Sequence, residues 1–200
     1  QDFTLITNPM TSLEDDVAHT RAVAEGVGGP VLVVGHSYGG VVATAYASRF
    51  PARGVVDIDQ ALQVGPMPPQ VVEAVRGDGF EDFMAAFFAP VYGDLDPDIA
   101  AELAARRVLR QDVVLGAWAP LLDLGPDELT AWMAGLMTVP ADLPFLSLHG
   151  LPVDPGYAEW LRARIPAAVV ESAPTVTHYP QLADPDWFVR RLTEFDVTTR

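Results

Sequence analysis

The sequence contains no cysteine and no lysine. Without cysteine there is no disulfide, no thiolate nucleophile and no thiolate metal site. Without lysine, all 12 basic residues are arginines, set against 27 acidic ones, and the formal net charge is −15. Nucleic acid and anionic membrane repel a chain of that charge, so neither is expected as a partner. No apolar run approaches a membrane span and no signal-peptide pattern opens the sequence, from which a cytoplasmic protein is expected. No internal repeat or low-complexity segment is present. No group of histidines and carboxylates has metal-site spacing, so no metal is expected. What remains is a chain of 200 residues, half of them apolar and a fifth charged. That composition suits one folded domain with a sizeable core, or one domain carrying an inserted lid.

Phe3–Thr7 (FTLIT) reads as a strand closed by a turn at Asn8-Pro9. Thr11-Ser12-Leu13-Glu14 matches a capping box and predicts a helix to about Glu25, stopped by Gly26, Gly28 and Gly29. Pro30–Val34 (PVLVV) and Gly54–Asp59 (GVVDID) are continuous apolar runs of the kind buried on both faces of a parallel sheet. An alanine-rich helix is predicted between them, over Val41–Arg49. From Gly65 to about Pro140 the pattern is helical throughout, at Phe80–Phe88, Asp98–Arg110, Gln111–Trp118 and Pro126–Met137. Strands return at Pro144–His149 and Ala168–Glu171, with helices at Gly156–Arg164 and Pro185–Phe195. Strands alternating with helices on either side of a helical block predict an α/β fold with a parallel sheet and helices on both faces. The expected core is 1–64 with 141–200, and 65–140 is an inserted helical cap. Ligands of such sheets bind beyond the carboxyl ends of the strands. The insertion leaves the end of the Gly54–Asp59 strand and would roof that region.

The chemical signal is Gly35-His36-Ser37-Tyr38-Gly39-Gly40, a G-x-S-x-G pattern. The pattern alone is weak, because glycine and serine are common. Its setting, between PVLVV and a helical VVATAYASRF, makes it strong. A serine in a strained strand-to-helix turn stands clear of the sheet as a nucleophile. Gly35 and Gly39 are expected to remove side chains that would collide there. The helix N-terminus aims backbone N–H groups at a developing oxyanion, one of them from Tyr38.

With these residues the chain resembles the α/β-hydrolase superfamily, in particular capped bacterial serine hydrolases of the esterase and haloperoxidase-like kind. The likeness runs from Phe3 to Phe195. It implies a catalytic histidine after the last strand, where His178 stands in Thr177-His178-Tyr179-Pro180. Thr177 departs from the glycine usual before that histidine. Of the other histidines, His19 reads as a solvated helix residue, His36 as packed in the elbow, and His149 as a strand-end residue of structural or pocket-wall character. The resemblance draws the triad acid from the loop after PFLSLH, which makes Asp154 the first candidate. Gly150-Leu151-Pro152-Val153-Asp154 carries one residue more than the common G-x-x-D spacing, however. Asp59, at the end of GVVDID, is the second candidate, and Asp57 lies deeper in that strand. A dehalogenase reading would want aspartate where Ser37 stands.

Caps of this superfamily line an acyl pocket, which makes His36, Trp118, Trp132 and Met133 candidate pocket residues and an apolar substrate plausible. Arg106, Arg107 and Arg110 are expected to face solvent, with no dedicated carboxylate clamp. The resemblance also implies a strand and an oxyanion loop ahead of FTLIT. The sequence contains neither, so it reads as starting inside the domain, with one oxyanion donor lacking and weak activity expected. The function expected is hydrolysis of a small, apolar ester through a Ser-His-Asp triad and an acyl-enzyme, with no cofactor and a small-molecule substrate as partner. The alternative is a non-catalytic or impaired hydrolase-like module that binds a small ligand.

Overall fold

The computed structural model describes residues 4–6 and 12–199. Ser12 caps the first helix, α1 (Leu13–Val27), its hydroxyl accepting from the Asp15 N–H at 3.1 Å. The capping box was expected one residue earlier, at Thr11, which lies outside the described residues. Gly28, at φ 76°, ends the helix in the left-handed conformation that a residue without a side chain adopts at little cost. β1 (Val31–His36) then leads through α2 (Tyr38–Ala47) to β2 (Ala52–Ile58). Helices alone follow: α3 (Pro69–Arg76), α4 (Phe80–Phe88), a 3-10 turn (Ala89–Tyr92), α5 (Pro97–Arg106), α6 (Gln111–Ala117), α7 (Ala119–Asp123) and α8 (Pro126–Leu136). β3 (Phe145–His149), α9 (Tyr157–Arg162), β4 (Ala168–Ser172), α10 (Pro180–Ala183) and α11 (Pro185–Thr198) complete the order.

The four strands form one parallel sheet in the order β1-β2-β3-β4. Register places Val55 beside Phe145, Val56 beside Leu146 and Asp57 beside Ser147. Because successive side chains point to opposite faces, Val55 and Phe145 lie on one side and Val56, Ile58, Leu146 and Leu148 on the other. The first face packs on α2 through Val42, Ala43 and Ala47, and on Leu161 and Ile165. The second packs on α11 through Phe195, with Trp187, Phe188 and Leu192 around it. Phe145 and Leu146 are 0% and 1% exposed, and each such side chain stabilises the fold by about 2 kcal/mol.

The helices between β2 and β3 make two kinds of contact. Val75, Phe80, Met84 and Leu122 form a separate apolar cluster of their own. α8 instead sends Leu129, Met133 and Leu136 into the main core beside Val42.

The expected first strand is not observed. Residues 4–6 carry no strand assignment and Leu5 is 92% exposed. Phe3, Thr7 and the Asn8-Pro9 turn lie outside the described residues. β-branched composition favours a pleated, half-buried surface, but pairing requires a neighbour, and β1 has β2 alone as partner among the described residues. Several helix ends also differ from expectation, among them the end of α11, which runs on to Thr198 rather than Phe195. α2 starts at Tyr38, because Gly39 and Gly40 sit in its first turn, and α5 stops at Arg106. Among the described residues, no helix is long and apolar enough to cross a membrane.

Candidate active site

Ser37 joins β1 to α2 with φ 56° and ψ −130°. Among the described residues, the non-glycine positions with positive φ are Ser37 and Asp59, the latter at 54°. Such backbone costs on the order of 1–3 kcal/mol and persists where the surroundings hold it in place. Here the Ser37 N–H donates to the Ile58 carbonyl at 2.8 Å, and the Ser37 carbonyl accepts from the Gly40 N–H at 2.7 Å. A Cβ on Gly35 would overlap the Gly39 carbonyl, and one on Gly40 would overlap the Asp57 carboxylate. One on Gly39 would meet nothing within 4 Å. Close approach therefore requires glycine at 35 and 40, not at 35 and 39 as the motif suggested. Ser37 makes no side-chain cap to α2, so its hydroxyl is not spent on the helix end. The Tyr38 N–H opens α2 and has no intrahelical acceptor, which leaves it free for an oxyanion. The Tyr38 ring packs on the main core. Burial first, and Asp16 second, push its phenol above the usual range.

His178 lies in the loop between β4 and α10. Its Nδ1 is 2.5 Å from Asp59 Oδ2, and the two side chains are 13% and 3% exposed. The other Asp59 oxygen, Oδ1, accepts from the Gly150 N–H at 2.7 Å and the Leu151 N–H at 2.9 Å. Burial alone would raise the Asp59 carboxyl. Hydrogen bonds from His178 and the Leu151 N–H, the His178 charge and the Gly150 N–H outweigh it and hold the group below its ordinary value. Asp154 does not join this arrangement. It is exposed, and its Oδ1 accepts from the Gly156 N–H at 2.7 Å in the turn that opens α9. Of the two candidate acids, the structure brings Asp59, and not Asp154, to His178.

The neighbours of this pair explain two sequence features. A Cβ on Gly150 would overlap the Thr177 carbonyl, so the glycine of the His149-Gly150 pair lets the two loops touch. Thr177 is fully buried. Its hydroxyl donates to the Val91 carbonyl at 3.2 Å and accepts from the Tyr179 N–H at 3.2 Å. A glycine there could make neither bond. The same Val91 carbonyl accepts from the His178 N–H at 2.8 Å. Asp94 completes the attachment: its N–H donates to the Val176 carbonyl at 3.1 Å, and its carboxylate accepts from the Val176 N–H at 2.9 Å. The turn following α4 thus straps down the His178 loop, a contact that no local pattern in either segment announces.

His36 supports His178 from below. Its Nε2 donates to the His178 carbonyl at 2.7 Å, which assigns the proton to Nε2, since a carbonyl can only accept. The two rings are 4.6 Å apart between centroids. Burial first, and the charge of His178 second, push His36 down to about 4, against the opposing pull of that carbonyl and of Asp59. An unfolded histidine titrates near 6.5, so between the two values the unfolded chain holds the extra proton. Folding therefore weakens as pH falls from 6.5 to 4 and the effect levels off below. Urea unfolding across that window should show the wild type losing up to about 3 kcal/mol more than His36→Gln, which keeps a donor and cannot titrate. Parallel curves for the two proteins would remove His36 as the source.

The remaining candidates are accounted for by packing. His149 is buried, with Nε2 2.8 Å from Ser147 Oγ and its ring edge-on to Tyr157 at 5.2 Å. Asp57 is fully buried 3.3 Å from the same Ser147 oxygen, and burial raises its carboxyl well above the ordinary value. His19 is exposed on α1. Met133 is 5% exposed within the main core, with Trp132 packed beside it. Trp118 lies against the α3–α7 cluster and meets Phe87 edge-on at 5.3 Å. Of the four candidate pocket residues, His36 is the one in contact with His178.

A strained serine at a strand-to-helix turn and a histidine backed by a buried carboxylate can together carry out nucleophilic acyl transfer. Comparison with known proteins bears on the family and the fold. The model of the "Alpha/beta hydrolase family" matches residues 6–191. No curated protein matches the chain by sequence. An esterase from Exiguobacterium antarcticum superposes with a TM-score of 0.70 at 17% identity, covering 94% of this chain and 75% of that one. A haloalkane dehalogenase from Agrobacterium tumefaciens gives 0.70 at 17% identity, over 98% and 76%. An enol-lactonase from Burkholderia xenovorans gives 0.69 at 17% identity, over 96% and 75%. At these identities the likeness is one of fold.

Proposed function

Because this chain belongs to the alpha/beta hydrolase family, we propose that it is a serine hydrolase of small esters, apolar around the reacting carbonyl, acting through Ser37, His178 and Asp59. The observation that carries this reading is the 2.5 Å contact between His178 Nδ1 and Asp59. It fixes the proton on Nδ1 and leaves Nε2 as the base.

In this mechanism Ser37 Oγ attacks the acyl carbon while His178 Nε2 takes its proton. Negative charge moves onto the carbonyl oxygen, where the Tyr38 N–H and the α2 N-terminus stabilise it. Asp59, kept ionised by its hydrogen bonds, stabilises the imidazolium. The tetrahedral species collapses, the alkoxide leaves with the proton from His178, and Ser37 retains the acyl group. Water then attacks with His178 as base, which releases the acid and restores Ser37. The helices between β2 and β3 act as a cap, and their many apolar side chains favour an apolar acyl group.

4-Nitrophenyl butyrate tests the reading. Nitrophenolate should be released above the uncatalysed rate, and acid quenching during turnover should leave a butyryl group on the peptide that contains Ser37. A folded protein that neither turns over the ester nor carries the adduct would instead be a binding module.

A further inference from the structure

Arg107 was expected to face solvent, and the structure half-buries it. It is the first residue beyond α5, with extended backbone at φ −69° and ψ 119°. Its guanidinium carbon lies 4.1 Å from the Phe88 ring centroid and 5.4 Å from that of Tyr92. Its Nη2 donates to the Tyr179 hydroxyl at 2.7 Å. Tyr179 follows His178 in the chain. Its ring centroid is 5.3 Å from His178 and 5.3 Å from His36, and it stacks on Tyr92 at 6.0 Å. A single tyrosine side chain therefore separates His178 from a guanidinium fixed in an aromatic bed.

That guanidinium has no carboxylate partner among the described residues. Arg21, Arg49, Arg53, Arg76, Arg106, Arg110 and Arg191 each pair with an aspartate or glutamate. Arg162, Arg164 and Arg190 also lack a salt bridge among the described residues, but they are exposed, whereas Arg107 is half-buried against the residue that follows His178. Its bond to Tyr179 uses one of its five N–H donors. Tyr179 accepts in that bond, so its own proton points elsewhere, and no acceptor for it occurs among the described hydrogen bonds. Two adjacent donors without acceptors, one of them a planar cation, are the complement of a carboxylate.

The geometry points to an anion subsite formed by Arg107 and Tyr179 that receives a carboxylate on the substrate of the Ser37 site. The favoured substrate class is then a half-ester of a dicarboxylic acid, apolar near the reacting carbonyl and anionic at its far end. This inference rests on the hydrolase reading and narrows it.

The test compares kcat/KM for mono-4-nitrophenyl glutarate with that for 4-nitrophenyl butyrate. The wild type should favour the half-ester by about tenfold or more, the scale of a charge-assisted hydrogen bond. Arg107→Gln should abolish the preference. Arg110→Gln, whose guanidinium pairs with Asp112 on the surface, should retain it. No preference in the wild type, or equal losses on both esters in Arg107→Gln, would make Arg107 a strut and overturn the subsite. A second readout does not depend on turnover: calorimetric binding of glutarate to Ser37→Ala protein, expected to disappear when Arg107→Gln is added. Arg107-dependent binding without hydrolysis of either ester would uphold the subsite and sink the hydrolase reading. Hydrolysis without preference or glutarate binding would do the reverse.

Discussion

Ser37→Ala should lower kcat for 4-nitrophenyl butyrate by about 10⁴-fold or more, because the acyl-enzyme can no longer form. The protein should remain folded. Ser37 makes no side-chain cap, and the elbow is held by backbone bonds to Ile58 and Gly40 that alanine retains. Stability by urea unfolding should therefore stay within about 1 kcal/mol of the wild type, the range of substitutions that break no buried contact. A variant that keeps a tenth of the wild-type rate would show that the serine is not the nucleophile.

Asp59→Asn and Asp154→Asn should behave very differently. The Gly150 and Leu151 N–H groups demand an acceptor at the position of Oδ1. An asparagine must turn its carbonyl oxygen to them and its amide N–H₂ towards His178. That N–H₂ can only donate, so His178 Nδ1 must accept and its proton moves to Nε2, where the base is needed. The wrong tautomer should lower kcat by roughly 10³- to 10⁴-fold, the effect known for this change in triad enzymes. Asp154→Asn leaves an oxygen to accept from the Gly156 N–H, so kcat should stay within about threefold and stability within about 1 kcal/mol.

Much of the fold is legible because it depends on local pattern. The runs PVLVV, GVVDID and PFLSLH announce their strands by composition, and Phe80–Phe88 forms the helix predicted for it. α3 was not predicted. Pro69 occupies its first helical position, where the missing N–H costs nothing. Phe3–Thr7 has strand composition, but residues 4–6 show that composition without a partner does not make a strand.

The site divides in the same way. Ser37 and His178 stand in recognisable local settings. The acid does not, because its identity depends on a contact across 119 positions in the chain. Loop position favoured Asp154, and the one extra residue after Gly150 was the visible sign against it. Asp59 also needs a left-handed backbone, which aspartate tolerates better than most residues, so the sequence carried no warning there. Arg107 was misjudged because the direction taken by a side chain at a helix end is set by the aromatic residues it meets, not by its charge.

The central claim is that Ser37 is activated by a histidine held by Asp59. The rate of Ser37 labelling by a fluorophosphonate tests it most directly, because phosphonylation of the serine oxygen with loss of fluoride reports activation of the nucleophile without a choice of ester. The account predicts one adduct per chain, on the peptide containing Ser37, formed at similar rates by the wild type and Asp154→Asn and slowed by orders of magnitude in Asp59→Asn. Rapid labelling of Asp59→Asn with slow labelling of Asp154→Asn would contradict it.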